Sequence, residues 1–466
     1  MTFSLTPRIY VLVLVLAAIL VVVAEYVWVF PIMVLGAILS LFYWKEEFIP
    51  QAFIIAALVL VGDIIPQGRV VVNYAGFFVL IVYYVRKFGL SVADRRVFRE
   101  PMYVWVIGMF IAFCISMVFS RYPASGLMHL LRMVVFFLII HLLYTFLKHN
   151  QKPGKYIDAY LIVAFILSIN VLYGFVTSGF SLVLDEVNAL YRFSGLIENV
   201  NNLGTMLSIA VPFFFFRGYL SMDRRLKLTY YGIAGIVVFA LFLTNTRSAF
   251  LIMIVYTPFF LYYVNKRALK IISVFGVVVL TAFFFIEQLY QLMTLLFRLE
   301  RIFSGREVLW DTSINIISDR WLFGIGPGAF RLESYNYLPV LIGSIGEEAV
   351  RFQMGIIEVG HAHNFYLFYF SEMGVGGLII AVALPVVFLT IAFQSLKYFK
   401  NSNQEAYYTV LAVLGTGLGM FVRGLIEANN LATYGWLTGD LSFWMLFMIN
   451  SFYYSIMRHE KKNENS

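Results

Sequence analysis

From Met373 to Leu396 the chain runs 24 residues without a charged side chain, and from Pro101 to Ser120 it does so again over 20. Wound as α-helix at 1.5 Å per residue, such segments are about 30–36 Å long, the thickness of a bilayer's hydrocarbon layer. An aqueous fold has no room to bury many of them. Lipid accepts them because a helix satisfies its backbone groups internally. Composition agrees: 61% of residues are hydrophobic, 13% are charged and mean hydropathy is +0.84, against roughly 25% charged in a soluble domain. The expected fold is an all-α polytopic membrane protein, one integral membrane domain over 1–466.

Fourteen apolar segments read as spans: 9–24, 26–44, 49–63, 69–85, 102–119, 125–147, 156–178, 202–220, 228–245, 248–264, 271–290, 364–392, 405–424 and 439–456. The first three are short or barely separated, so the count is 12–14. Residues 9–24 also have the length of a signal-peptide apolar core, with "VVA" before Glu25 as a cleavage site. Only Arg8 supplies its basic flank, so a retained span is the better reading. The segment at 364–392 is long, and "GVGG" (374–377) is where it is expected to tilt or break. Cys114 is the single cysteine. Disulfide frameworks and cysteine-based metal sites are therefore excluded, and Cys114 itself is expected to pack in the core.

Lys and Arg set the orientation. Arg86 to Arg99, Lys148 to Lys155, Arg224 to Lys227, Lys266 to Lys270, Lys397 with Lys400, and the tail Arg458 to Lys462 all fall on one side of a fourteen-span chain. That side is the cytoplasm, and both termini lie there. The net charge of +8 belongs to these loops and does not call for nucleic acid. Four segments fall on the opposite, external side: 179–201, "TNTRS" at 244–248, the long loop 291–363, and "EANNLATYGWLTGD" at 427–440. Within 291–363, Trp310, Ile314, Ile317 and Trp321 recur at helical spacing. This predicts a helix lying on the membrane face. Gly324 ends it, "GIGPGAF" (324–330) turns the chain, and irregular chain returns to "HAHN".

The external charges carry the chemistry. In "SGREVLW" (304–310), Ser304 and Glu307 have capping-box spacing, so Arg306 falls in a first helical turn. A cation is the wrong sign there. The arrangement makes sense if an anion sits between the arginine and the helix N-terminus. On that reading, removing Arg306 leaves stability unchanged or raises it by up to about 1 kcal/mol. Arg247 is the only charge between Lys227 and Lys266. It is either an interfacial anchor that snorkels to headgroups or a fork held for phosphate. His361 and His363 stand where the long loop re-enters the membrane, next to Asn364. They offer an acid–base or hydrogen-bonding group near neutrality, or simply a helix cap. Without an HExxH or a carboxylate triad, no metal is expected. Arg192 and the "ENVNN" cluster with Asn201 precede the eighth span as loop, cap or ligand residues. His129 and Arg132 share one helix face, as a functional or a structural pair. Arg423 and Glu427 read as an ordinary helix-end pair.

Arginines and histidine gathered at one surface suit a phosphate-bearing ligand. A channel needs rings of like residues, and a transporter needs midplane charges in broken, paired spans. Only His129 and Arg132 hint at a path through the bilayer.

At these residues the chain resembles the O-antigen ligase and O-antigen polymerase superfamily. The resemblance covers roughly 190–380 and rests on "RFSGLIENVNN", "TNTRSAF", "SGREVLWDTSINIISDRWLFGIGPGAF" and "HAHNFYLFYFSEMGVGGL" in this order. It implies a C-type glycosyltransferase fold in a bacterial cytoplasmic membrane, with the active site facing outside. It implies a glycan donor on undecaprenyl diphosphate, a glycan or lipid-anchored acceptor, and neither metal nor other cofactor. The family's essential residues carry over as Arg247, Arg306 and His363. His361, a second histidine two residues earlier, departs from the family pattern. His361, Asn364, Arg192 and Asn201 are the further substrate-binding candidates. The resemblance leaves ligase and polymerase undivided. A lipid-linked oligosaccharide flippase is the competing reading from another class.

Overall fold

A computed structural model describes residues 45–59, 66–89, 98–181, 183–184, 189–190, 192–197, 199–287, 290–291, 294, 306–338 and 360–464. The first two expected spans, Ser304, and the return of the long loop over 339–359 lie outside the described residues. The rest is helical apart from one short antiparallel pair, β1 (Val183–Leu184) with β2 (Ala189–Leu190). In chain order the α-helices are α1 (Ile49–Val59), α2 (Pro66–Phe88), α3 (Pro101–Val118), α4 (Pro123–Asn150), α5 (Pro153–Thr177), α6 (Val200–Leu220), α7 (Arg224–Leu243), α8 (Arg247–Val264), α9 (Lys266–Phe285), α10 (Arg306–Arg320), α11 (Phe330–Glu333), α12 (Phe365–Phe399), α13 (Gln404–Arg423) and α14 (Leu437–Glu464).

Local chemistry explains where they start. α3, α4 and α5 each open on proline, whose fixed φ suits the first turn and whose missing N–H costs nothing there. α6, α7, α9, α12 and α13 are capped by the side chains of Asn199, Asp223, Asn265, Asn364 and Asn403.

Eight described helices are long and apolar enough to cross a membrane: α3 to α8, α12 and α13. The protein is an all-α polytopic membrane protein, and eight of the fourteen expected segments appear as such helices among the described residues. The described part of α1 has 11 residues and reaches about 16 Å; residues 60–65, which include the rest of that expected segment, lie outside the described residues. α14 is long, but Asp440, Asn450 and other polar groups line it, and it is enclosed by its neighbours. The apolar faces left outside belong to lipid, for instance Val104, Ile107, Ile111 and Ile115 on α3. Cys114 lies on that exposed face. It is not core, because the buried stripe of α3 runs through Met109, Phe113 and Ser116.

Hydrogen bonds divide the bundle into two ends. At one end Lys148 pairs with Glu100 (2.8 Å), Arg217 with Asp158 (2.9 Å) and Tyr398 with Glu460 (2.8 Å). At the other, Ser116 and Ser120 donate to the carbonyls of Phe323 (2.7 Å) and Ile325 (2.9 Å). The basic loops gather at the first end, and the candidate residues at the second.

The segment after α10 docks on a break in α12. Gly374 has φ 62° and ψ −153° inside that helix, a conformation open essentially to glycine alone. Ile325 and Gly326 donate to the carbonyls of Ser371 (3.1 Å) and Glu372 (2.9 Å), and Val375 donates to Trp321 O (2.8 Å). The Glu372 side chain is sealed and accepts from Gly328 N (2.7 Å), Phe330 N (3.2 Å) and the Tyr434 hydroxyl (2.6 Å). The expected break at "GVGG" is therefore a docking point for the "GIGPG" turn. A Cβ on Gly374 would sit 2.3 Å from Leu322 O, and one on Gly324 (φ +70°) would sit 2.3 Å from Glu372 O. Gly324→Ala and Gly374→Ala should each lose about 2–3 kcal/mol. Gly232→Ala, with open space around it, should hold its melting temperature. Thermal melts of the three in detergent check this, and equal melts would refute the docking.

α10 forms as expected; its Ile314 is exposed, as is Trp321 just past its end, while Leu309, Thr312, Ser313 and Ile316 face the protein. The other two residues of the expected stripe, Trp310 and Ile317, are half-buried. Residues 330–337, expected as irregular chain, instead form α11 and a 3-10 turn.

Candidate active site

Four pieces of chain converge at the second end: the start of α6, the start of α10, the turn 360–364 and the loop between α13 and α14. Asn364 joins two of them. Its Oδ1 caps α12 by accepting from Tyr366 N (2.9 Å) and Leu367 N (3.0 Å), while its Nδ2 donates to Leu425 O (2.7 Å). Phe365 N donates to Gly424 O (2.8 Å) beside it. The turn and the α13–α14 loop are thereby held in fixed register. Asp440 orders the far side of that loop by accepting from Thr433 N (2.6 Å), Thr433 Oγ1 (2.7 Å) and Trp436 N (3.2 Å).

Glu427 stands at the centre. It is 0% exposed. Its Oε1 meets His363 Nδ1 at 2.8 Å. Its Oε2 accepts from Arg306 Nη2 at 3.0 Å and from Asn201 Nδ2 at 3.3 Å. Arg306 Nη1 donates to Ile426 O. Behind Asn201, Arg192 Nη2 donates to Asn201 Oδ1 (2.8 Å). The His363 and Arg306 side chains remain 21% and 19% exposed, so both can be reached from outside while the carboxylate cannot.

His363 has φ +49°, an uncommon conformation for a residue with a side chain. His361 supports it: its Nδ1 accepts the His363 backbone N–H at 3.1 Å, and the two rings meet edge-on with centroids 4.6 Å apart. Burial, then the neighbouring His363 charge, pushes the His361 pKa down to about 3, so it acts as a neutral acceptor. Burial alone would raise Glu427. His363, Arg306 and Arg423 outweigh it and hold the carboxyl well below its usual range. Arg192, Arg306 and Arg423 against Glu427 leave the cluster with excess positive charge, the right sign for a phosphate ligand.

Arg306, His361, His363, Asn364, Asn201 and Arg192 are thus brought together. Arg247 is the first residue of α8, and its chain neighbours reach the start of α6: Thr244 O accepts from Arg192 Nε (3.5 Å) and Thr246 Oγ1 donates to Val200 O (3.1 Å). Two expectations change. Arg306 does open its helix, but its charge is met by a buried carboxylate, so the helix N-terminus does not repel it unopposed. Arg423 and Glu427 are not a simple helix-end pair: Arg423 donates to Asn429 O (2.7 Å) and Asn430 Oδ1 (3.3 Å), and Glu427 turns to the histidine. The sequence signal for Glu427 was an acidic residue at the start of an external loop of an apolar chain. The helical spacing from Arg423 supplied a plainer explanation and hid it. His129 and Arg132 form the structural pair: Arg132 Nη2 lies 3.0 Å from His129 Nδ1, and its Nε donates to Tyr434 O (2.8 Å).

His361, His363 and Glu427 also place one ligand-type atom each within 4.8 Å of one another, a cluster the sequence did not suggest. Each of these groups already has a protein partner. The two Glu427 oxygens and His363 Nδ1 are bonded as above, and His361 Nδ1 holds a backbone N–H.

A family model described as O-antigen ligase matches residues 232–382, from α7 into α12. It takes in Arg247, Arg306, His361 and His363 and stops before Glu427. The chain is also similar to the exopolysaccharide production protein ExoQ of Rhizobium meliloti (strain 1021). The two are 24% identical over 373 residues, 76% of this chain and 79% of that protein.

Proposed function

Because the chain belongs to the O-antigen ligase and polymerase superfamily, we propose that it transfers a glycan from undecaprenyl diphosphate to an acceptor hydroxyl at the outer face of the bacterial cytoplasmic membrane. The observation that carries this reading is Arg306 and His363 held on one sealed carboxylate, at the bundle end opposite the basic loops. The acceptor oxygen attacks the anomeric carbon and passes its proton to His363. The bond from that carbon to the diphosphate breaks, and the diphosphate leaves with the electron pair. Negative charge grows on the phosphate as the bond breaks. A guanidinium carries five N–H donors, of which Arg306 spends two on Ile426 and Glu427. The remainder, with Arg247, serve the diphosphate. Donors placed in advance for charge that develops only in the transition state are the ones that accelerate the reaction. Asn364, Asn201, Arg192 and His361 shape the surroundings.

The acceptor distinguishes ligase from polymerase. A relative named for exopolysaccharide production favours another lipid-linked repeat over a lipid A core, and hence chain growth. The flippase reading gains little, since His129 and Arg132 are committed to backbone and to each other.

Arginine takes the role that a divalent ion would play, so a chelator should leave turnover unchanged. Purified protein is given undecaprenyl-diphosphate repeat, with and without lipid A core, in EDTA. A ladder of lengthening lipid-linked glycan identifies polymerase chemistry, and single transfer to the core identifies ligation. Loss of activity in EDTA with recovery on Mg²⁺ or Mn²⁺ would refute the arginine mechanism.

A further inference from the structure

We propose that Glu427, beyond the segment shared with the family model, is a positioning residue that sets the tautomer of His363 and the place of Arg306 together. The inference rests on the transfer chemistry above for its consequence, but its geometry stands independently. An ionised carboxylate only accepts hydrogen bonds. Arg306 and Asn201 donate to one oxygen, and His363 Nδ1 lies 2.8 Å from the other. Nδ1 must therefore carry the proton, and the basic lone pair of the neutral ring is at Nε2. His361 fixes the same residue from the backbone side. One side chain thus aims the base and anchors the diphosphate-binding arginine, and it is sealed from the ligand it serves.

The isosteric change Glu427→Gln makes a sharp test. Arginine can never accept a hydrogen bond, and Arg306 and Asn201 converge on one oxygen. In the variant the oxygen of the new amide is forced to their side, and its NH₂ then faces His363 Nδ1. That nitrogen becomes the acceptor, the proton moves to Nε2, and the base is lost. A carboxylate-to-amide change that imposes the wrong histidine tautomer in the serine-protease triad costs about 10⁴-fold in turnover, and about 10²–10⁴-fold is expected here. Glu427→Asp keeps an acceptor and should retain more turnover than Gln. The donor KM should change less than about threefold in both.

The groups facing Glu427 are His361 and His363 from the turn, Arg306 from α10, Arg423 from α13 and neutral Asn201 from α6, with Arg192 behind.

The experiment pairs turnover with ¹⁵N-imidazole NMR of His363 in detergent, assigned by His363→Ala. The expected result is the Nδ1–H tautomer in the wild type and Nε2–H in Glu427→Gln, with the loss of turnover. Nε2–H in the wild type overturns the proposal. So does a folded Gln variant within threefold of wild-type turnover, or one that loses turnover with Nδ1–H retained. If Glu427→Gln fails to fold, the wild-type spectrum and the ranking of Glu427→Asp decide. If the tautomer switches but the wild type transfers no glycan, the positioning stands and the proposed reaction falls.

Discussion

Replacing Arg306 by lysine should lower glycan transfer by about a hundredfold or more while leaving the fold close to intact. A lysine ammonium keeps the charge beside Glu427 but lacks the planar fork that binds two oxygens at once. Losing one preorganised donor in a transition state typically costs about 2.7–4 kcal/mol. Arg306→Ala should lose as much turnover and also stability. The Arg306–Glu427 pair is 3.0 Å long, and its carboxylate is sealed. Removing one member of a buried pair often costs about 3–5 kcal/mol. His363, Asn201 and Arg423 still surround Glu427, so a loss of about 1–3 kcal/mol is expected here. This reverses the expectation from the sequence, in which a cation at a helix N-terminus could be removed without loss. Turnover and melting of the two variants, measured side by side, check both effects. Near-normal turnover in the lysine variant would reduce Arg306 to a general positive charge.

His363→Ala should lose at least about a hundredfold in turnover, the usual contribution of a general base. His361→Ala should stay within about tenfold. Their contacts differ in kind. His363 faces the site with its ring held by Glu427, while His361 spends its Nδ1 on a backbone N–H. A backbone hydrogen bond is worth about 0.5–1.5 kcal/mol net, so its loss loosens the turn without removing the base. Single-turnover rates for the two variants separate the roles. Equal losses would mean that the pair acts as one group, and a reversed order would move the base to His361.

These expectations also mark what the sequence could disclose. The apolar spans, the capping cluster around Asn199 and the break at Gly374 depend on neighbours a few residues away, so they were legible. So were the candidate arginines and histidines, as rare charges in an apolar chain. Glu427 was not, because its meaning comes from partners 64, 121 and 226 residues distant: His363, Arg306 and Asn201. Glu372 escaped notice for the same reason, since its partners belong to the turn after α10 and to Tyr434. Cys114 shows a complementary gap. In lipid an apolar residue is equally at home on either face of a helix, and hydrophobicity alone cannot tell core from surface.

The central claim is that the cluster around Glu427 breaks a glycan–diphosphate bond and makes a glycosidic one. Its most direct test uses the purified protein in lipid nanodiscs with an undecaprenyl-diphosphate glycan and an acceptor, in chelator and without nucleotide. Freed undecaprenyl diphosphate and glycan on the acceptor are counted together. The account predicts equal amounts of the two from the wild type, and at least about a hundredfold less of both from His363→Ala and Arg306→Lys. A folded wild-type protein that releases no undecaprenyl diphosphate, yet carries the intact donor across a vesicle membrane, would contradict it.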